Sequence, residues 1–323
     1  MANQKIINKL IKPGIAAAAF FLVFLGSKYT ARAESSQGFS ISPPFQDVTI
    51  EKSDPQKSFN IKITNNTSQE QSFSIKVLDF GSLDESGGIA FLGQQKNDIE
   101  NKYSLVSWLS LEKDAVIVGP GKSESIKITV LNKESLLPGG HYGAVLVTLD
   151  EGGKTEREKV AVNQSYASLV YVHKIGGEKN GLILNSVNFV KNILTLPSKF
   201  VVRFQNTGNT DLMPRGIVTI SDPWGRIISK GIINTESNRI LPASFRKYNI
   251  KQDKTAAAIW PGNYKIKTEY RFDGKTNFEV DTKNYFYMGR IFVILDIILI
   301  STAASIFSYF WIVKKRTKPK SGI

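Results

Sequence analysis

His141 and His173 are the only imidazoles in the chain, and there is no cysteine. Each histidine sits in an apolar, strand-like stretch, where a lone imidazole reads as a hydrogen-bonded packing residue. A general base needs a nucleophile or proton within reach, and zinc needs three or four nitrogen, sulfur or carboxylate donors at set spacing. Neither pattern occurs, and the G-x-S-x-G elbow of serine hydrolases is missing. "LDESGG" at 83–88 puts two carboxylates beside glycines, which could suit calcium. It lacks the regular ligand spacing of a calcium loop and reads as a turn. No catalytic, cofactor-binding or metal-ligating residue is expected, and the chain reads as a non-enzyme.

The remaining polar chemistry lies in an unusual place. Asp296 falls six residues into an apolar run, "IFVILDIILISTAASIFSYFWIV", residues 291–313. A carboxylate there is costly unless it pairs or reaches water, and near one boundary it can reach up to water. Ser301, Ala304, Ser305 and Ser308 recur at i, i+3, i+4, i+7, a stripe of small residues that lets membrane helices approach closely. Weak association through that stripe is expected.

The elements that would position these residues begin at the chain ends. The 23 residues of 291–313 span about 34 Å as a helix, enough to cross a bilayer. The basic segment 314–323 follows at once, and such segments stay cytoplasmic. Lys5, Lys9 and Lys12 precede "GIAAAAFFLVFLG", and "ARA" precedes Glu34. That is the layout of a signal peptide over 1–33, cut between Ala33 and Glu34. A single-pass membrane protein with its N-terminal bulk outside is expected. The net charge is +14, but five positive charges lie in 1–33 and five more in the tail, leaving +4 for 34–289. The basic balance is therefore mostly topology signal, and no nucleic-acid partner is expected.

Between the ends the texture is β. "FNIKITNN" sets Phe59, Ile61 and Ile63 against Asn60, Lys62 and Thr64, the two-residue period of a half-buried strand. Polar turn clusters separate many such runs. The fold class is all-β: two tandem immunoglobulin-like sandwiches, 34–175 and 176–284, plus one C-terminal transmembrane helix. "LLPGGHYGAV" and "IWPGNYKIKTEY" give an internal repeat: Pro120 to Tyr142 and Pro242 to Tyr264 are both 22 residues apart. Pro138, Gly139 and Tyr142, and likewise Pro261, Gly262 and Tyr264, read as fold corners. In each, the ring packs inward and the hydroxyl satisfies a backbone group. The first copy carries an insertion at about 81–107, which reads as a long surface excursion, either recognising a partner or merely solvated.

With "SPPFQDVTI…FNIKITNNT" near the mature start, "PGGHYGAV" closing the first unit, and a helix with a basic tail, the chain resembles bacterial WxL-interacting surface proteins. That resemblance implies a peptidoglycan-binding sandwich followed by a second binding sandwich, with no ligand residue carried over. The leading expectation is a membrane-anchored cell-surface protein that binds peptidoglycan, another anionic wall polymer or a surface-protein partner, with no cofactor. The alternative is an export or assembly chaperone acting outside the membrane on secreted or pilus-type subunits.

Overall fold

The computed structural model describes residues 38–92, 101–150 and 164–316. The expected signal peptide, with Ala33 and Glu34, and the last residues of the basic tail lie outside them. The described chain is mostly strand, with one helix at its C-terminal end.

The first ten strands are β1 (Phe39–Ser42), β2 (Phe45–Ile50), β3 (Gln56–Asn65), β4 (Gln71–Ser82), β5 (Ile89–Leu92), β6 (Leu109–Leu111), β7 (Ala115–Val118), β8 (Ser123–Leu131), β9 (Gly139–Asp150) and β10 (Ser165–Lys174). They form two sheets, β1-β3-β8-β6 and β2-β10-β9-β4-β5, with β7 also against β4. Both sheets supply one core, with Ile61, Ile63, Ile126 and Ile128 from the first and Phe73, Ile75, Val145, Val147 and Val170 from the second. The alternation read from the sequence is the reason: in β3, Ile61 and Ile63 are buried while Asn60 and Lys62 face out. In β9 nearly every residue from Gly139 to Val147 is buried. Its outer face is covered too, because a side chain on Gly143 would press against Leu105 and Leu109.

The chain passes from the first sheet to the second between β1 and β2, through the cis peptide Ser42–Pro43. β2 then pairs with β10 in parallel, whereas the other ladders are antiparallel.

Eight further strands are β11 (Leu182–Asn188), β12 (Lys199–Asn206), β13 (Arg215–Ser221), β14 (Ile227–Ile233), β15 (Phe245–Lys251), β16 (Asp253–Lys254), β17 (Gly262–Arg271) and β18 (Glu279–Tyr287). They make sheets β11-β12-β15 and β16-β14-β13-β17-β18 around a second core that includes Phe200, Phe204, Val218, Ile220, Tyr264 and Ile266. Asn65 and Asn206 end β3 and β12, and both are fully buried. Each side-chain amide donates to backbone carbonyls, Val118 and Gln69 for one, Thr210 and Ile240 for the other. Each amide oxygen accepts from the N–H two residues on. The two halves repeat down to this detail.

Helix α1 (Arg290–Arg316) follows directly. Its stretch Arg290–Lys314 is 25 residues of mean hydropathy 2.3, long and apolar enough to cross a membrane, and none of its most apolar window is buried against the rest of the chain.

The insertion is not a bare solvated loop. Its first part forms the β4–β5 hairpin, and its last part returns to the core through Leu105, which is fully buried. Asp79 pins that return, accepting from the N–H groups of Leu105 and Val106 and from the Ser104 hydroxyl.

Candidate functional site

The "PGG" turn forms part of the contact between the two β units. Gly139 has φ +121°, and a Cβ there would meet the Asn209 carbonyl at 2.8 Å. The Gly140 N–H donates to that same carbonyl at 2.7 Å. Gly140 cannot carry a side chain either, because the Tyr142 hydroxyl occupies the space. That hydroxyl crosses the junction and donates to Asp211 Oδ1 at 3.1 Å. The corner reading gave Tyr142 and Tyr264 one role, but the structure gives them different partners. Tyr264 donates to the Trp260 carbonyl of its own turn at 2.8 Å, while Tyr142 reaches an acid of the other unit. Its ring packs with Phe80 and Tyr171, at 5.9 and 5.8 Å between centroids, and Leu241 of the second unit completes this small cluster.

Asp211 is the hub. His173 Nε2 lies 2.6 Å from its Oδ1, and Arg239 Nη1 donates to its Oδ2 at 3.0 Å. Arg239 turns its fork to Asp47 on β2, with bonds of 2.6 and 2.7 Å, and its guanidinium lies 4.4 Å from the Tyr171 ring centre. Burial pushes the Asp211 carboxyl up, but the His173 bond and the charges of His173 and Arg239 together hold it below the ordinary range. The bond to Asp211 raises the His173 imidazole against its burial. Burial pushes the Tyr171 phenol up to about 12.

A second clamp comes from "LDESGG". Asp84 Oδ1 accepts from the N–H groups of Ser86, Gly87 and Gly88, which makes the segment a closed turn. Its apex Glu85 reaches the second unit, accepting two bonds from Arg203 at 2.9 and 2.6 Å and pairing with Lys247 at 2.9 Å. Those two cations hold the Glu85 carboxyl down to about 2. The Lys247 N–H donates to the Glu85 carbonyl at 2.7 Å.

Between the clamps runs a groove of about 500 Å³, walled by Phe45, Phe80, Ile89, Leu169 and Tyr171 from the first unit and by Leu241 and Arg246 from the second. Leu169 and Tyr171 of its wall lie on β10. β10 is laddered to β9 along its whole length, but to β2 only from Leu169 onward. Among the described residues, no strand pairs with its other side over Ser165–Ser168. The Leu169 N–H points towards β2, donating to the Pro44 carbonyl, so by strand alternation Ala167 directs its backbone groups the same way. Phe45 and Tyr166 beside this edge are exposed apolar side chains.

The other expected residues fall as follows. Pro261, Gly262 and Tyr264 open β17 at the base of the second unit, where Gly262 has φ +147° and abuts Pro223. Pro138 packs against Gly177 of the link between the units. Asp296, Ser301, Ala304, Ser305 and Ser308 are all exposed on α1, and the hydroxyls of Ser301 and Ser305 bond to carbonyls of their own helix. Among the described residues, nothing gathers them into a site. His141 bonds the carbonyls of Leu137 and Ser104, and burial lowers its basicity. The residues that reasoning from the sequence missed are Asp47, Glu85, Arg203, Asp211 and Arg239. Their pairings cross up to 192 positions of chain. Among the described residues, no cluster of histidine and carboxylate side chains could hold a metal ion.

The His173–Asp211 pair predicts a pH dependence. Its imidazole is more basic folded than unfolded, so its contribution is complete below the ordinary value of 6.5 and fades as pH rises through the raised value. The carboxylate partner works only above the lowered Asp211 value. Junction stability should therefore fall as pH rises above 6.5 through the raised imidazole value, with Asp47, Arg239 and Glu178 as the neighbouring charges. His173→Gln should flatten that slope in urea titrations between pH 5 and 9, and an unchanged slope would refute the assignment.

No family profile and no curated protein matches the chain. Similar solved structures include a chaperone–tip adhesin complex of CFA/I fimbriae biogenesis, at 14% identity and TM-score 0.42, covering 76% of this chain and 98% of that one. The class 5 fimbriae chaperone CfaA is similar at 16% identity and TM-score 0.38, with coverage of 76% and 98%. A chaperone–tip adhesion subunit pre-assembly complex from the archaic chaperone-usher Csu pili of Acinetobacter baumannii is similar at 12% identity and TM-score 0.36, with coverage of 76% and 97%. These are fimbrial chaperones, and they correct the leading expectation from the sequence. The reading as a protein that binds wall polymer is withdrawn.

Proposed function

We propose that the chain is a chaperone-like, non-catalytic protein whose first β unit lends a strand edge to an extended segment of an exported subunit. The single observation that carries this reading is the half-open β10. Among the described residues no strand pairs with one side of Ser165–Ser168, and the next residue, Leu169, lines the apolar groove between the units. An extended polypeptide can satisfy such an edge with main-chain hydrogen bonds and seat alternate side chains in adjoining apolar pockets. The two clamps at Asp211 and Glu85 hold the walls of that groove at a fixed separation, so the receiving surface is preformed. The similar fimbrial chaperones include complexes with tip adhesins, and an exported subunit is the client class for this chain. Both units are immunoglobulin-like sandwiches on this reading, held outside the membrane by α1 with the basic tail inside.

Ala167→Pro tests it. Proline removes the backbone donor on the open side of β10 and no bond to β9, a change that edge strands tolerate. The variant should melt within about 1 kcal/mol of the parent and should fail to co-purify with the exported client that the parent retains. The amides of Ser165 and Ala167, which face the open side, should gain protection from hydrogen exchange in the parent complex. Equal client recovery by both proteins would refute strand lending.

A further inference from the structure

The base of the second unit presents a surface that strand lending does not use. Three loops and the start of α1 meet there. The β11–β12 loop brings Val190 and Ile193, the β13–β14 turn brings Trp224, and the β16–β17 loop brings Ile259 and Trp260. All five are exposed, Val190 at 84% and Trp224 at 69%. Printed contacts fix them at one end. Trp224 and Trp260 rings lie 6.3 Å apart edge to face, and Trp260 lies 5.9 Å from Phe292 of the helix. The Met288 N–H donates to the Ile193 carbonyl at 2.7 Å, and the Tyr287 hydroxyl to the Ala258 carbonyl at 3.4 Å.

The charges at this end are one-sided. Lys191, Arg226 and Arg290 are exposed there. The loops 189–198 and 255–261 and the segment 287–290 contain no acid. Asp222 is buried, and its oxygens accept from the N–H groups of Trp224 and Arg226 and from the Arg226 side chain. A patch of large apolar side chains with a cationic rim, continuous with a helix that leaves the domain at the same point, has the composition of an interfacial membrane surface.

We propose that this base is a lipid-seating platform: Val190, Ile193, Trp224, Ile259 and Trp260 enter the headgroup region of the bilayer that α1 crosses, with Lys191, Arg226 and Arg290 against anionic headgroups. The β units then stand on the membrane at a set angle. The inference rests on α1 spanning a bilayer.

Because the chain has no cysteine, single cysteines can be placed without removing any. Val190→Cys and Ile259→Cys in the full chain carry a nitroxide label, in vesicles of phosphatidylcholine and phosphatidylglycerol. Ile306→Cys in the helix and Ile117→Cys on the first unit, both exposed positions, are the lipid and water references. Collision with oxygen and with an aqueous nickel chelate is measured at each site. Labels at 190 and 259 should match position 306, favouring oxygen and shielded from nickel. If 306 is lipid-exposed while 190 and 259 behave like 117, the platform is refuted and the span stands. If 306 itself is nickel-accessible, the span fails and the platform with it.

Discussion

Arg239→Ala is expected to uncouple the two β units at a cost of about 3 kcal/mol. The substitution leaves Asp211, whose side chain is 4% exposed, buried with one of its two cationic partners gone. Removing one member of a buried ion pair typically costs about 3–5 kcal/mol, because the stranded charge keeps its desolvation penalty. The figure belongs at the lower end because His173 and Tyr142 still contact Asp211. Asp47, nearly half exposed, loses its partner at small cost because water replaces it. The double variant Arg239→Ala/Asp211→Asn should recover part of the loss, since no buried charge is then left unpaired. Denaturant unfolding of the full chain in detergent should show one shared transition for the parent and two for the single variant. If the single and double variants unfold together, the ionic account of the junction is wrong. The same variant should weaken client retention while leaving the β10 edge itself unchanged, because the groove loses its second wall.

Tyr264→Ala should destabilise the second unit by about 3–5 kcal/mol, and Tyr264→Phe by only about 1 kcal/mol. The ring is fully buried in that core and meets Tyr287 edge to face at 5.2 Å, so truncation removes the transfer energy of an aromatic and leaves a cavity. The hydroxyl makes one bond, to the Trp260 carbonyl, and losing it costs about what a single neutral hydrogen bond contributes. Melting of the two variants in parallel separates packing from hydrogen bonding. A phenylalanine variant as damaged as the alanine one would mean that the hydroxyl governs the corner.

The alternating strands were legible because each half-buried strand writes its own two-residue period. Ile61 and Ile63 needed no distant information to be placed inward. The helix was legible for the same local reason, an uninterrupted apolar run. β9 was harder: with both faces covered, its alternation disappears into "GGHYGAVLV". The junction was not legible. Asp47, Asp211 and Arg239 occur in unremarkable contexts, and only the docking of two units brings them together. The Tyr142 ring is buried, yet its hydroxyl partner lies 69 positions away. The one local trace was Gly140, whose missing side chain leaves room for that hydroxyl. The insertion was read as a surface excursion because its turn residues are polar. The same polarity is what lets Glu85 pair with Arg203 and Lys247. Wall-polymer binding was inferred from a resemblance in layout and short turn and strand motifs, neither of which describes a receiving surface.

The two proline–glycine turns occupy matching places in a linear arrangement. The first meets the loop around Asn209 of the following unit, and the second meets the start of the helix through Trp260 and Phe292. On the proposed function, tension on a client held at the β10 edge would pass through both turns to the start of α1.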